Sequence, residues 1–260
     1  MAPGRPCPNQ ARQAQWRDTL NRFWTHYLFG VDNGAAAMPK VIVERENNEW
    51  VEYPDWPVPG AAATKLTLTP ALGIGAEAGS NGIGRLGGAA SSASATQHES
   101  FVDDASMEAA DLTVAVESPH RLIYQTLPLS APVHVSGIPE VSLRLSFSAP
   151  AAIVTAMLID YKAAGAPFIV TRGWADPQNR ESIERTLAIV PERPYTIAFE
   201  LQPHDYIFLP GSRIGLMVLS SDRLFTRHPP AGTKITLQPA DSALGLPIVG
   251  GSQMLAKASR

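Results

Sequence analysis

Ser220-Ser221-Asp222 and His228 fall within nine positions of one another. A serine, a carboxylate and an imidazole are the parts of an acyl-transfer triad. Such chemistry needs the serine on a sharp elbow, commonly Gly-x-Ser-x-Gly between a strand and a helix. That pentapeptide does not occur in the chain. Ser-Ser-Asp at a strand end reads instead as a turn whose side chains bond local backbone. No catalytic residue is assigned.

The densest polar and aromatic stretch is Arg172 to Arg180. There Trp174 would stack on a ligand while Asp176 and Arg180 orient it, in a loop of the kind that carries function. Tyr206 is a further ligand-binding candidate. Trp50, Tyr53 and Trp56, interleaved with Pro54, Pro57 and Pro59, form an aromatic-proline cluster expected to be a satellite core.

Gly82-x-Gly84-x-x-Gly87 matches the spacing of a dinucleotide-binding turn. That turn works only between a strand and a helix, where helix amides meet a pyrophosphate. Gly79-Ser80-Asn81 before it and Gly88-Ala89-Ala90 after it supply neither, so a Gly-rich loop is expected and no cofactor. The six histidines include no His-x-x-x-His pair, and one cysteine, Cys7, allows neither a Cys-rich metal site nor an internal disulfide. No metal is assigned. His134 sits between Val133 and Val135, as on a strand's solvent face, and His204 and His228 are read as turn residues.

Lys plus Arg is 21 and Asp plus Glu is 24, a net charge of −3 with no basic block, which excludes a nucleic-acid footprint. No apolar run approaches 18 residues, so no membrane span is expected. Residues 1–15 lack a signal-peptide apolar core, making cytoplasmic the default location. Charged residues are 17%, against about 25% in average domains, while Gly and Pro number 20 and 23. This composition suits short strands joined by tight turns.

One helix is expected over 10–29. Trp16, Leu20, Trp24 and Leu28 recur every fourth position beside Phe23 and Tyr27, and Gly30 suits its C-terminal cap. Beyond it the period is two. Strands are expected at Val41–Glu44, around Leu66 and Leu68, over 141–147 and over 195–201. Stretches 153–161 and 214–219 are apolar on both parities, as in central strands. Further strands are expected at 113–117, 121–126, 133–137, 167–171 and 233–237. About ten strands with long connections predict an all-β jelly-roll sandwich. Residues 71–98 read as a mobile Gly/Ser/Ala excursion.

Several landmarks occur in order. They are Phe23-Trp24-x-His26-x-Leu28-x-Gly30-Val31-Asp32-Asn33-Gly34, Asp55-Trp56-Pro57-x-Pro59-Gly60, Ser100-Phe101-x-Asp103-Asp104, Pro203-x-x-Tyr206-x-Phe208-x-Pro210-Gly211 and Ser220-Ser221-Asp222. Together the chain resembles the C-terminal region of the Xaa-Pro dipeptidyl-peptidase and cocaine-esterase family of serine hydrolases. The resemblance implies a galactose-binding-like jelly roll over 39–260. It also implies, over 1–38, the helix and turn left over from an α/β-hydrolase domain. In the family that domain carries Ser, Asp and His, and the jelly roll walls the active site.

The family's Gly-His-x-Asp-Pro segment would fall on Gly4 to Pro8, with Arg5 in the His place and Cys7 in the Asp place. Arginine stays protonated and cannot act as general base. The resemblance therefore implies a non-catalytic sandwich, inactive alone, whose partner is a catalytic domain in a preceding segment. Self-association through Trp16, Leu20, Phe23, Trp24 and Tyr27 is the alternative partner. A carbohydrate- or ligand-binding jelly roll without activity is the alternative function, with Trp174, Tyr206, Trp50 and Trp56 as its aromatics.

Overall fold

The computed structural model describes residues 10–45, 49–70, 82–87, 97–229 and 231–259, with side chains from residue 15 onward. The Gly4–Pro8 segment and Cys7 lie outside the described residues.

Helix α1 spans Gln10–Phe29. Gly30, at φ 69°, ends it by donating its N–H to the His26 carbonyl at 2.9 Å. This is the left-handed glycine cap that the sequence predicts. Asn33 locks the following turn back onto the helix. Its side-chain amide donates to the Arg22 carbonyl and to Thr25 Oγ1, each at 2.8 Å, while Arg22 Nη2 donates to the Asn33 carbonyl at 2.9 Å. A 3-10 turn, Ala35–Ala37, leads into the hairpin of β1 (Val41–Glu44) and β2 (Trp50–Tyr53).

The rest is two sheets face to face. β3 (Ala61–Thr69) runs through both. In the first sheet it is followed by β4 (Ile83–Leu86), β6 (Arg121–Gln125), β13 (Arg213–Leu219), β9 (Val154–Tyr161) and β10 (Phe168–Ala175). The second centres on β14 (Lys234–Val249). β14 pairs with β3 and β5 (Glu99–Val102) on one side and with β8 (Glu140–Phe147) and β7 (Val133–Gly137) on the other. β11 (Tyr195–Glu200) extends β8, and β12 (His204–Phe208) extends β7. All pairs are antiparallel except β4 with β6. The inward faces, such as Val141, Leu143, Leu145 and Phe147 of β8, are fully buried. This is the jelly-roll sandwich that the alternation predicts, carried with its N-terminal helix.

Several elements differ from expectation. Residues 113–117 are not a strand. Thr113 and Val114 end helix α2 (Ala109–Val114), which lays Ala109 and Leu112 over Ile123, Met157, Ile159 and Met217. That cover is why β9 and β13 are apolar on both faces. Buried Arg121 replaces water at the helix end, donating to the carbonyls of Leu112 and Ala115.

Within the Gly-rich stretch, Ile83–Leu86 is a strand, and 71–81 and 88–96 lie outside the described residues. Gly84 sits inside this strand, not in a strand-to-helix turn. A Cβ there would lie 2.4 Å from the Tyr124 ring. β14 runs far beyond 233–237, kinking between Gln238 and Ala243. The short strands β2, β5 and β12 and the terminal helix α3 (Gly251–Ala258) carry no clear periodicity.

Among the described residues no helix is long and apolar enough to cross a membrane, and no group of three or more His, Cys, Asp or Glu is placed to hold a metal ion.

Candidate functional site

The Ser-Ser-Asp segment leaves the end of β13, and its three side chains part company. Ser220 Oγ donates to the Ile153 carbonyl at 2.8 Å. Ser221 donates its N–H and its hydroxyl to the carboxylate of Asp103, at 2.9 and 3.1 Å. His228 bonds the Arg223 carbonyl through Nε2 at 3.2 Å. Ser220, Asp222 and His228 form no hydrogen-bonded relay, so the arrangement activates no nucleophile. Asp103 belongs to the Ser100–Asp104 landmark, which thus buttons onto the Ser220–Asp222 landmark.

Asp222 does something else. Its side chain is 3% exposed, and its Oδ2 accepts from Arg172 Nη1 at 2.8 Å and from Trp174 Nε1 at 3.1 Å. The Trp174 ring stacks on Phe225, with centroids 5.6 Å apart, and the Arg172 guanidinium lies 4.6 Å from the same ring. Backbone N–H groups of Phe225 and Thr226 both donate to the Asp222 carbonyl, fixing the turn that presents Phe225. Phe225 and Leu224 remain 59% and 64% exposed. The result is a rigid aromatic platform at one end of the sandwich. A cation beside it and a buried carboxylate beneath make it suited to contact and not to bond-making. Gly173 lets β10 reach this position, because a Cβ there would lie 2.3 Å from the Glu200 carbonyl oxygen of the opposing sheet.

Trp174 is the one candidate that joins this platform. Asp176 caps the Pro177–Asn179 turn, accepting from the Gln178 N–H at 2.8 Å. Arg180 donates to the carbonyls of Pro177 and Leu187 and stacks over Tyr195 at 4.5 Å. Both hold their own loop. Tyr206 lies elsewhere, 5% exposed, donating its hydroxyl to Asp160 Oδ2 at 2.8 Å. Trp174 pairs with Thr155 and Phe168 with Asp160 along β9. The two groups are therefore at opposite ends of the strand, roughly 17 Å apart at about 3.4 Å per residue.

At the Tyr206 end, Asp205 anchors the N-terminal hairpin. Its carboxylate takes Arg45 Nε at 3.0 Å and His134 Nε2 at 2.8 Å. Burial pushes this carboxyl up, but the His134 and Arg45 hydrogen bonds outweigh it and hold the pKa below its ordinary value. His134 lies on the outer face of β7 between buried Val133 and Val135, as its alternation predicts, and is partly covered there as a partner of Asp205, whereas His204 is the first residue of β12 and not a turn residue. The hairpin residue Tyr53 accepts from Arg45 and faces His134, while the Val58 N–H reaches Ser136 Oγ at 3.4 Å. The aromatic-proline segment is therefore clamped to β7.

Among the described residues the apolar stripe of α1 meets no such partner. The helix packs against the Ala35–Ala37 turn, and Leu20 is half-buried. Trp16, Trp24, Tyr27 and Leu28 stay between 51% and 65% exposed. Several large apolar side chains are thus exposed along one helix.

A family model described as the X-Pro dipeptidyl-peptidase C-terminal non-catalytic domain matches residues 33–257. A putative Xaa-Pro dipeptidyl-peptidase of Rhodopirellula baltica is 40% identical over 242 residues, covering 90% of this chain and 37% of its own length. A putative Xaa-Pro dipeptidyl-peptidase of Bacillus anthracis is 37% identical over 239 residues, with the same coverage of 90% and 37%. Among solved structures, an aminopeptidase from a marine sediment Thaumarchaeota archaeon superposes with a TM-score of 0.64 at 22% identity, over 90% of this chain and 44% of that one. The chain spans little more than a third of the length of these curated relatives.

Proposed function

We propose that this chain, which belongs to the family of X-Pro dipeptidyl-peptidase C-terminal non-catalytic domains, acts as a structural wall for a serine-hydrolase domain. The face of α1 docks on that domain, and the sandwich borders its substrate pocket. The parent activity is dipeptidyl-peptidase or acyl and ester hydrolysis. The observation that carries the reading is the stripe of α1 that the described residues leave uncovered, on a helix tied to its following turn by the Arg22–Asn33 clasp. A helix so fixed and so exposed is built to pack on something. The relatives extend well beyond the matched region, which makes a catalytic domain in the same protein the best occupant.

Co-expression with the non-matching portion of the Rhodopirellula baltica relative tests this. The two are expected to copurify and to hydrolyse Ala-Pro-p-nitroanilide, while the chain alone turns over none. A Trp16→Ser/Trp24→Ser variant is expected to lose the association. Undiminished copurification by that variant, or fluorophosphonate-sensitive turnover by the chain alone, counts against the proposal. Self-association through the same face predicts a dimer in sedimentation equilibrium that the double variant dissolves.

A further inference from the structure

The turn after α1 carries Asn33-Gly34, one of two Asn-Gly pairs in the chain. The other begins at Asn81, outside the described residues. Asparagine is thermolabile, and most so before glycine, where no side chain shields the next backbone nitrogen from the amide carbon. Gly34 is exposed and sits at φ 77°. A Cβ there would lie 3.1 Å from Arg22 Nη2, the atom that holds the Asn33 carbonyl. The backbone conformation and the crowding both call for glycine. Asn33 is equally constrained. Its Nδ2 donates to the Arg22 carbonyl and to Thr25 Oγ1, and its Oδ1 accepts from the Ala35 N–H at 3.1 Å. A short side chain with two donors and an acceptor is an asparagine. The labile pair stands on an exposed turn because the clasp needs both residues.

We propose that Asn33 is a deamidation site, protected while the clasp is closed and converted to aspartate or isoaspartate when it opens. The Gly34 nitrogen loses its proton to hydroxide and attacks Asn33 Cγ. The N–Cγ bond forms, the Cγ–Nδ2 bond breaks, and Nδ2 takes a proton from water and leaves as ammonia. Water then opens the five-membered imide at either carbonyl and leaves a carboxylate. The closed clasp resists this step, because expelling Nδ2 means giving up its hydrogen bonds to Arg22 and Thr25. The product cannot re-form the clasp. A carboxylate only accepts. It would face the Arg22 carbonyl and Thr25 Oγ1, whose own hydrogen goes to the Asn21 carbonyl at 2.7 Å. Isoaspartate also lengthens the main chain by one carbon and displaces the carbonyl that Arg22 Nη2 reaches. Conversion therefore unties the end of α1 permanently. The inference does not depend on what packs against α1, since the clasp lies wholly within the helix and its turn.

The test is peptide mapping by mass spectrometry on the full 260-residue chain, aged at mildly alkaline pH in buffer and in guanidinium. Trypsin places Asn33 on the peptide 23–40 and Asn81 on 66–85, so the two pairs are followed separately. Electron-transfer fragmentation tells isoaspartate from aspartate. Each of the three side-chain hydrogen bonds slows opening by about twofold or more, so Asn33 should convert about tenfold or more slowly in the folded chain than in guanidinium. Thr25→Val and Arg22→Met, both at partly exposed positions of α1, should each raise the native rate severalfold and leave the rate in guanidinium unchanged. Asn33→Asp imitates one product. It should speed deuterium uptake at the Gly30 and Val31 N–H groups, which bond the His26 and Thr25 carbonyls. Equal rates for Asn33 in the folded and unfolded chain overturn the proposal. So do native rates in both clasp variants that match wild type, or unchanged deuterium uptake in Asn33→Asp.

Discussion

Asp222→Ala removes the single oxygen that gathers Arg172 and Trp174. The cost can be worked from the surroundings. Breaking a buried ion pair by deleting one partner costs about 3–5 kcal/mol, because the other charge stays behind. The Arg172 side chain is 19% exposed, so its guanidinium regains some water and the cost falls towards about 2 kcal/mol. The indole N–H of Trp174 then lacks its acceptor, adding about 1 kcal/mol. A total near 3 kcal/mol corresponds to a melting point lower by about 6–12 °C for a domain of this size. Urea unfolding followed by tryptophan fluorescence reads it directly, with an unchanged slope showing that the unfolded state is unaltered. Arg172→Met alone should be at least as damaging, since Asp222 is 3% exposed. The double variant should cost clearly less than the two together, a coupling above about 1 kcal/mol. An Asp222→Ala loss within about 0.5 kcal/mol of wild type, or additive single changes, would refute the view that this pair organises the platform.

Gly84→Ala drives a methyl to 2.4 Å from the Tyr124 ring and 2.7 Å from the Thr69 carbonyl, so a loss of about 2–3 kcal/mol is expected by thermal melting. A neutral result would mean that β4 is not seated on β6. Burial holds the His204 pKa below its ordinary value. The unfolded state therefore binds more protons, so the stability is full above about pH 6.5 and is lost as pH falls towards the folded value. His204→Gln should flatten that slope in urea midpoints taken from pH 7.5 to 5, and an unaltered slope would exonerate His204. Trp16→Ser/Trp24→Ser should raise the solubility of the chain while leaving its melting point within about 1 °C, because both rings are already more than half exposed. A large fall in melting point would show that the stripe belongs to the chain's own core.

What was legible from sequence follows from how many constraints act on a residue. In β8 one face is core and the other is not, so Val141, Leu143, Leu145 and Phe147 announce themselves by period. In α1 the stripe and Gly30 agree with each other, and the helix ends where they say it does. Leu112 and Val114 defeat such reading, because α2 is six residues long and buries one turn against an already apolar sheet. β4 is hidden for the opposite reason. Gly84 is required by the closeness of Tyr124, and glycine in a strand resembles glycine in a loop. The platform was half visible. Trp174 stood out by type, but its partners Asp222 and Phe225 are some fifty residues away and meet it only through strand pairing.

The landmarks that carry the family resemblance are joints, and this explains why they identify the family without supplying its chemistry. Asn33 ties the turn after α1 to Arg22 and Thr25. Asp103 ties the segment after β5 to Ser221 at the end of β13. Asp222 ties that same end to β10. Each is a polar side chain spending its hydrogen bonds on backbone or on another element, and Asp103 and Asp222 are buried. Removing either buried carboxylate strands donors in a low-dielectric setting, so sequence change there is penalised whatever the domain does for its partner. A serine and an aspartate side by side at a strand end were the natural place to look for a nucleophile. Their neighbours show instead that Ser221 and Asp222 face different partners, Asp103 on one side and Arg172 with Trp174 on the other. The segment is thereby stretched between two elements and held still. That rigidity does not make a nucleophile of Ser221, but it is what an aromatic platform needs if Phe225 is to meet another surface without an ordering cost.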